Sequence, residues 1–299
     1  MKWFWKIVLV VVIVIAVDIG RYLFYPSVGA LKTHHPIPTA FMEYRQAQWT
    51  EENREMKITQ KWVSMDRISP NIIKAVLIGE DDGFYHHEGF DVKGMENAIE
   101  RSIQKGTLAG GSTISQQLAK NLYLSPSKNP VRKLKEAILT WRIEKTLSKR
   151  QILENYLNVA EWGDGIFGIE AAARHYYHKS AKHLTGKEAA TLAAVLPNPI
   201  AYNALGHQAY VVNRAHIIYK TMRRRGIIES IYQEVMTKPK GEVEREVEGI
   251  EESNQSNDSM ESLFGNDESP IESSSVTPTD PSDPIMVTPS PSDANETQP

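Results

Sequence analysis

Hydrophobic and polar positions divide the chain into three regimes. From Ile7 to Val17 every position is apolar, and the run continues to Tyr25 with Asp18 and Arg21 interrupting it. That length is enough to cross a bilayer, which takes about 20 residues. From about Thr39 to Met236, apolar residues recur at the three- and four-residue spacings of amphipathic helices, and convincing strand alternation is scarce. From Lys240 to Pro299 the chain is rich in Ser, Pro, Asp, Glu, Asn and Thr, a composition that cannot bury enough surface to fold alone. The pattern predicts a mainly α protein: residues 1–25 a cytoplasmic tip and transmembrane anchor, 26–65 a membrane-proximal segment, 66–238 the folded domain, and 239–299 a disordered acidic tail.

Local signals sharpen the helices. Thr113 with Gln116, Ser148 with Gln151 and Thr185 with Glu188 are Ser/Thr-x-x-Glu/Gln capping boxes, each opening an amphipathic run. Pro197 stops one run, and Pro126 and Pro130 bracket the loop after another. At the N-terminus, Lys2 and Lys6 orient the start toward the cytoplasm, while Trp3, Trp5, Tyr22 and Tyr25 suit the two interfacial belts. A cleaved signal peptide competes with an anchor, because 11 strictly apolar residues also fit such a segment. The small-residue pair Val28 and Ala30 lies too far beyond the run to serve it. Asp18 and Arg21, three apart, are placed to pair on one helix face.

Charge separates the body from the tail. From Gly241 onward there are 15 acidic residues and one basic, leaving the preceding chain with +11 of an overall −3. A basic body suits a polyanion such as nucleic acid, anionic lipid or a sugar diphosphate, without choosing among them. The absence of cysteine excludes disulfides, cysteine-ligated zinc and acylation at a lipoprotein cysteine.

Three stretches carry chemistry. "GGSTISQQLAKN" (Gly110 to Asn121) buries Ile114, Leu118 and Leu122 on one face and offers Thr113, Gln117, Lys120 and Asn121 on a neighbouring one. Its glycines and helix N-terminus suit a phosphate, although ordinary capping explains them as well. "NPVRKLKEAILTWRIEKTL" sets Arg132, Lys135 and Glu136 on one face, with Leu134, Ile138 and Trp141 on another. It is either a solvated charged face or a diphosphate grip. "GEDDGFYHHEGFD" follows a helix with an apolar stripe at Ile72, Ile73, Val76 and Leu77, so Glu80 emerges at the end of a core helix. Apolar surroundings there would raise its pKa toward neutrality and suit it to acid or base catalysis. A transition-metal site in this stretch matches none of the helical His spacings, and His87 reads as a hydrogen bonder that pins the loop.

Taken in order, these stretches resemble the peptidoglycan glycosyltransferase family in its monofunctional, membrane-anchored form. The first motif is met by Glu80, Asp81, Phe84, His87, Gly89 and Asp91, and the second by the Gly110 to Asn121 stretch. Arg132, Lys133 and Glu136 meet the third, "KRQILENYLN" (Lys149 to Asn158) the fourth, and "AAVLPNP" (Ala193 to Pro199) the fifth. The bifunctional members' transpeptidase is not indicated. "SIQK" at Ser102 and "SPSK" at Ser125 occur without a Lys-Thr-Gly.

The resemblance implies a lysozyme-like helical domain with a second, membrane-contacting lobe, for which Tyr123 and the leucines beside it are candidates. It implies a single-pass protein of the bacterial cytoplasmic (inner) membrane with its catalytic domain on the periplasmic side. Its partners would be lipid II, the nascent glycan on undecaprenyl diphosphate, the bilayer and other cell-wall synthesis proteins, with no nucleic acid. Glu80 and Glu136 take the family's two catalytic positions. Asp81, Phe84, His87, Ser112, Thr113, Gln117, Lys120, Asn121, Lys128, Arg132 and Lys135 are expected at the substrate. Lys128 stands where relatives often carry an arginine, replacing a two-pronged donor with a point charge. A divalent ion, Mg or Mn, near Glu136 is compatible with the family, and no organic cofactor is implied. Two other classes compete: a lytic or hydrolytic glycosidase, which needs a general acid for its sugar leaving group, and a noncatalytic envelope binder.

Overall fold

The computed structural model describes residues 2–96, 111–126 and 129–227. The helix α1 (Lys2–Gly20) projects its apolar side chains outward, and it is long and apolar enough to cross a membrane. A 3-10 turn at Arg21–Leu23 ends it. The following turn, Val28–Lys32, already belongs to the body, because Val28 and Leu31 are buried in the main core. The membrane-proximal segment is therefore packed against the domain along part of its length.

The body is built from α2 (Ala40–Glu51), α3 (Pro70–Glu80), α4 (Ile114–Tyr123), α5 (Pro130–Thr146), α6 (Lys149–Val159), α7 (Ile169–Tyr177), α8 (Gly186–Val195) and α9 (Ala209–Arg224). All three expected capping boxes form, at Thr113, Ser148 and Thr185. Caps at Thr39, Ser69 and Asn129 add to them, the last two just ahead of a proline in the first helical turn. Helix α3 packs against α8 and α9, while α4 lies among α2, α5 and α6. Ile114, Leu118 and Leu122 bury the expected face of α4.

Three very short strands were not expected. Glu161–Gly163 (β2) and Ile166–Phe167 (β3) form a hairpin around Asp164-Gly165, and Thr59–Gln60 (β1) pairs parallel to β3, giving the order β1-β3-β2. The sheet ties the segment before α3 to the turn after α6. It sits over a small cluster of Phe41, Met42 and Phe167.

Helix α5 departs from the expected pattern. Its core face is Glu136, Leu139, Thr140 and Ile143, whereas Leu134 and Trp141 are 55% and 51% exposed. The apolar stripe thus points away from the core, on the side of the helix opposite Glu136. Tyr123 is half-buried and Leu122 and Leu124 are buried. Those leucines serve the core rather than a membrane surface: Leu122 lies on the inward face of α4, and Leu124, just past the helix end, is buried in the same core.

Candidate active site

Helix α3 delivers Glu80 at its last turn, and both carboxylate oxygens meet donors rather than the apolar surface expected from sequence. Arg214 of α9 donates to Oε1 at 3.0 Å and Gln117 of α4 to Oε2 at 2.9 Å. Arg214 also donates to the Gly79 carbonyl at 2.7 Å, fixing the end of α3 to α9. The Gln117 amide is oriented in turn by Tyr156 of α6, whose hydroxyl donates to its Oε1 at 3.0 Å. Burial pushes the Tyr156 phenol well above its usual pKa, with the charges of Glu80 and Asp81 adding to the effect. A phenol that keeps its proton must donate here, so the amide presents oxygen to Tyr156 and nitrogen to Glu80.

Next to Glu80, Asp81 does what the start of α4 was expected to do for a phosphate. Its Oδ2 accepts the backbone N–H of Ile114 at 2.9 Å, while Oδ1 accepts His87 Nε2 at 2.9 Å. The anion at this helix N-terminus is therefore the protein's own side chain, a placement the helix dipole favours. His87 Nδ1 accepts the Gly89 N–H at 3.0 Å, which leaves Nε2 as the protonated ring nitrogen facing Asp81. Thr113 is buried, donating to the Gly89 carbonyl at 2.7 Å and accepting from the Gln116 N–H at 3.2 Å. Phe84 is fully buried beneath the Lys149 ammonium, 4.4 Å from its ring centroid. Asp81, Phe84, His87 and Thr113 thus form a brace behind Glu80. Gly89 completes it. With φ +90°, and with a Cβ there reaching 2.8 Å from Thr140 Cγ2, the position needs glycine.

The second carboxylate lies on α5. Glu136 is 3% exposed; Arg132 donates to its Oε2 at 2.6 Å, and Lys133 pairs with its Oε1. Lys120 of α4 lies within the field of Glu136, Arg132, Lys133 and Glu80. Burial pushes the Lys120 ammonium below its ordinary pKa, and the attraction of Glu136 opposes that shift. Among the described residues, no carboxylate comes within ion-pair contact of its Nζ, which stands 5.8 Å from the centroid of the Phe41 ring. Lys120 thus lies in the field of three carboxylates, Glu136, Glu80 and Glu161, and of the cations Arg132 and Lys133.

Other expected residues fall elsewhere. Lys135 pairs with Asp18 of α1 rather than with Glu136, because its side chain leaves α5 on the side facing α1. Asn121 is buried, Ser112 is exposed, and Lys128 lies outside the described residues. Sequence reasoning missed Arg214, the role of Tyr156, and the pair Arg45–Glu161, in which Arg45 Nε and Nη2 grip the carboxylate at 2.9 and 3.0 Å. Burial raises the Glu161 pKa, and Arg45 opposes the rise. The donor set fits a divalent ion poorly. Among the described residues no group of three His, Cys, Asp or Glu converges, and both Glu136 oxygens already face cations.

The family model for transglycosylases matches residues 46–223. The chain belongs to the transglycosylase family. Its glycosyltransferase fold is the lysozyme-like helical one, and Glu80, Lys120, Glu136 and Arg214 all lie inside the match. This transglycosylase is similar to proteins named biosynthetic peptidoglycan transglycosylase. That of Laribacter hongkongensis is 47% identical over 192 residues, 64% of this chain and 84% of the relative. That of Nitrosospira multiformis is 42% identical over 222 residues, 74% and 96% of the two chains. That of Aromatoleum aromaticum is 53% identical over 169 residues, 56% and 74% of the two.

Proposed function

We propose that this transglycosylase polymerises the glycan strands of peptidoglycan at the outer face of the cytoplasmic membrane, held there by α1. The acceptor is lipid II and the donor is the growing glycan on undecaprenyl diphosphate. The acceptor's 4-hydroxyl attacks the donor's anomeric carbon from the face opposite the diphosphate, so configuration inverts and a β-1,4 link forms. As the new C–O bond forms, the hydroxyl proton passes to Glu80. As the old one breaks, the bonding pair leaves with the diphosphate. Such a leaving group needs positive charge rather than a proton, and Lys120, Arg132 and Lys133 are the cations grouped to supply it.

The observation that carries this reading is Lys120, a half-buried ammonium that lies in the field of Glu136 and Glu80 and makes an ion-pair contact with neither. It also weighs against the glycosidase reading. A glycosidase needs its second carboxyl group available as an acid, whereas Glu136 is held between Arg132 and Lys133. Incubating the full-length protein with lipid II, with and without chelator, tests the proposal. Polymer with released lipid diphosphate is expected in both arms. Cleavage of preformed glycan, or neither reaction, would overturn it.

A further inference from the structure

The outer end of α1 is built into the body. Asp18, within its last turn, pairs with Lys135 of α5 and, at 3.2 Å, with Arg21. The Lys135 side chain is 16% exposed, and its ammonium also lies 5.2 Å from the centroid of the Tyr22 ring. Two turns along the same side of α5, Arg142 donates to the carbonyls of Tyr22 at 2.8 Å and Phe24 at 3.1 Å. Carbonyls at a helix C-terminal end lack intrahelical partners and favour a cation. An aspartate in an apolar span is likewise costly unless paired. Both anchor-end features are answered by one face of one helix, since residues seven apart lie nearly in line. Beyond the turn, Val28 and Leu31 enter the main core, so little slack follows the grip.

That helix also carries Arg132 and Glu136, within one turn of Lys135. Tyr22 contributes to the same place, because with Tyr123, Asn129, Arg132 and Lys135 it lines a cavity of about 300 Å³. We infer that Asp18 is a positioning residue: through Lys135, with Arg142 holding the carbonyls behind it, Asp18 locks the anchor against α5. It thereby sets the height and direction from which Arg132 and Glu136 meet a lipid-borne substrate. This rests on the polymerase reading given above.

The test uses the full-length protein in bilayers. Asp18→Asn and Lys135→Met should lower kcat on bilayer-embedded lipid II by about 10- to 100-fold, the scale of a small misplacement remote from the chemistry. KM should change little, and Asp18→Glu should retain most of the rate. The chain contains no cysteine, so an Asp18→Cys/Lys135→Cys pair can be joined by a short bismaleimide without side products. The unlinked double variant should be slow, and linking should restore turnover. Wild-type kcat in Asp18→Asn, failure of the pair to link in folded protein, or a linked protein slower than the unlinked one would each overturn the inference. Linking yield reports docking whatever the reaction. A chain that links but makes no polymer counts against the proposed function, whereas an active chain that does not link counts against the lock alone.

Discussion

Replacing Asp81 by asparagine separates a brace behind the Glu80 carboxylate from a contact with substrate. The change keeps the side chain's shape but exchanges one of two acceptor oxygens for a donor. In the wild type these oxygens accept the Ile114 N–H and the His87 Nε2, each at 2.9 Å, in a residue 6% exposed. If the new amide nitrogen faces Ile114, two donors oppose each other at the start of α4. If it faces His87, the ring must move its proton to Nδ1, which then opposes the Gly89 N–H. Either way one charge-assisted bond is lost, worth about 1.5–3 kcal/mol, together with about 0.5–1 kcal/mol of favourable charge at a helix N-terminus. The expected loss of stability is about 2–4 kcal/mol. For a body of this size, each kcal/mol moves Tm by roughly 2–4 °C, so melts of the detergent-solubilised protein should fall on the order of 5–15 °C. Assayed below the new Tm, KM for lipid II should stay near wild type. An unchanged Tm with a raised KM would refute the reasoning and return Asp81 to the substrate.

Three further outcomes follow from the same geometry. Tyr156→Phe leaves the half-buried Gln117 Oε1 without its donor and frees the amide to turn its oxygen toward Glu80. Stability should drop by about 1–2 kcal/mol and kcat severalfold, and normal kinetics would show that the amide needs no such holding. Lys120→Ala should lower kcat/KM by an amount equivalent to about 2–4 kcal/mol, as for one preorganised charge stabiliser. Because burial lowers the Lys120 pKa, the ammonium is lost as pH rises, at a lower pH than for an ordinary lysine. The alkaline limb of kcat/KM should therefore move upward in Lys120→Arg, whose guanidinium stays charged, and an unmoved limb would assign it to another group. Gly89→Ala should destabilise by about 2–4 kcal/mol through the left-handed backbone and the overlap with Thr140, and a wild-type melt would contradict that packing.

The legible parts of this chain were those with local causes. The boxes at Thr113, Ser148 and Thr185, the stripe of α4 and the prolines around α5 each act within one or two helical turns, so sequence spacing reveals them. The β2–β3 hairpin escaped because strands of two or three residues are shorter than any alternation pattern, although Asp164-Gly165 carried the turn signal. Leu134, Ile138 and Trp141 have the spacing of a core stripe, yet two of them are exposed, since periodicity identifies a common face without saying what covers it. Lys135 was grouped with Arg132 and Glu136 for the same reason, but Asp18 of α1 competes for it and wins. Arg214 joins Glu80 across 134 residues and Arg45 joins Glu161 across 116. Nothing in the neighbourhood of either arginine announces such a partner.

If Glu80 takes the proton from the attacking hydroxyl, its loss must stop the chemistry without loosening the fold. The most direct measurement is a single-turnover assay of Glu80→Gln on lipid II, with substrate binding followed on the same protein. The glutamine still accepts from Arg214 or Gln117 through its one oxygen, so the fold and most of the affinity should persist. Polymer formation should fall by at least about 100-fold, the lower range for losing a general base. Polymer made at near wild-type rate by folded Glu80→Gln would contradict the claim.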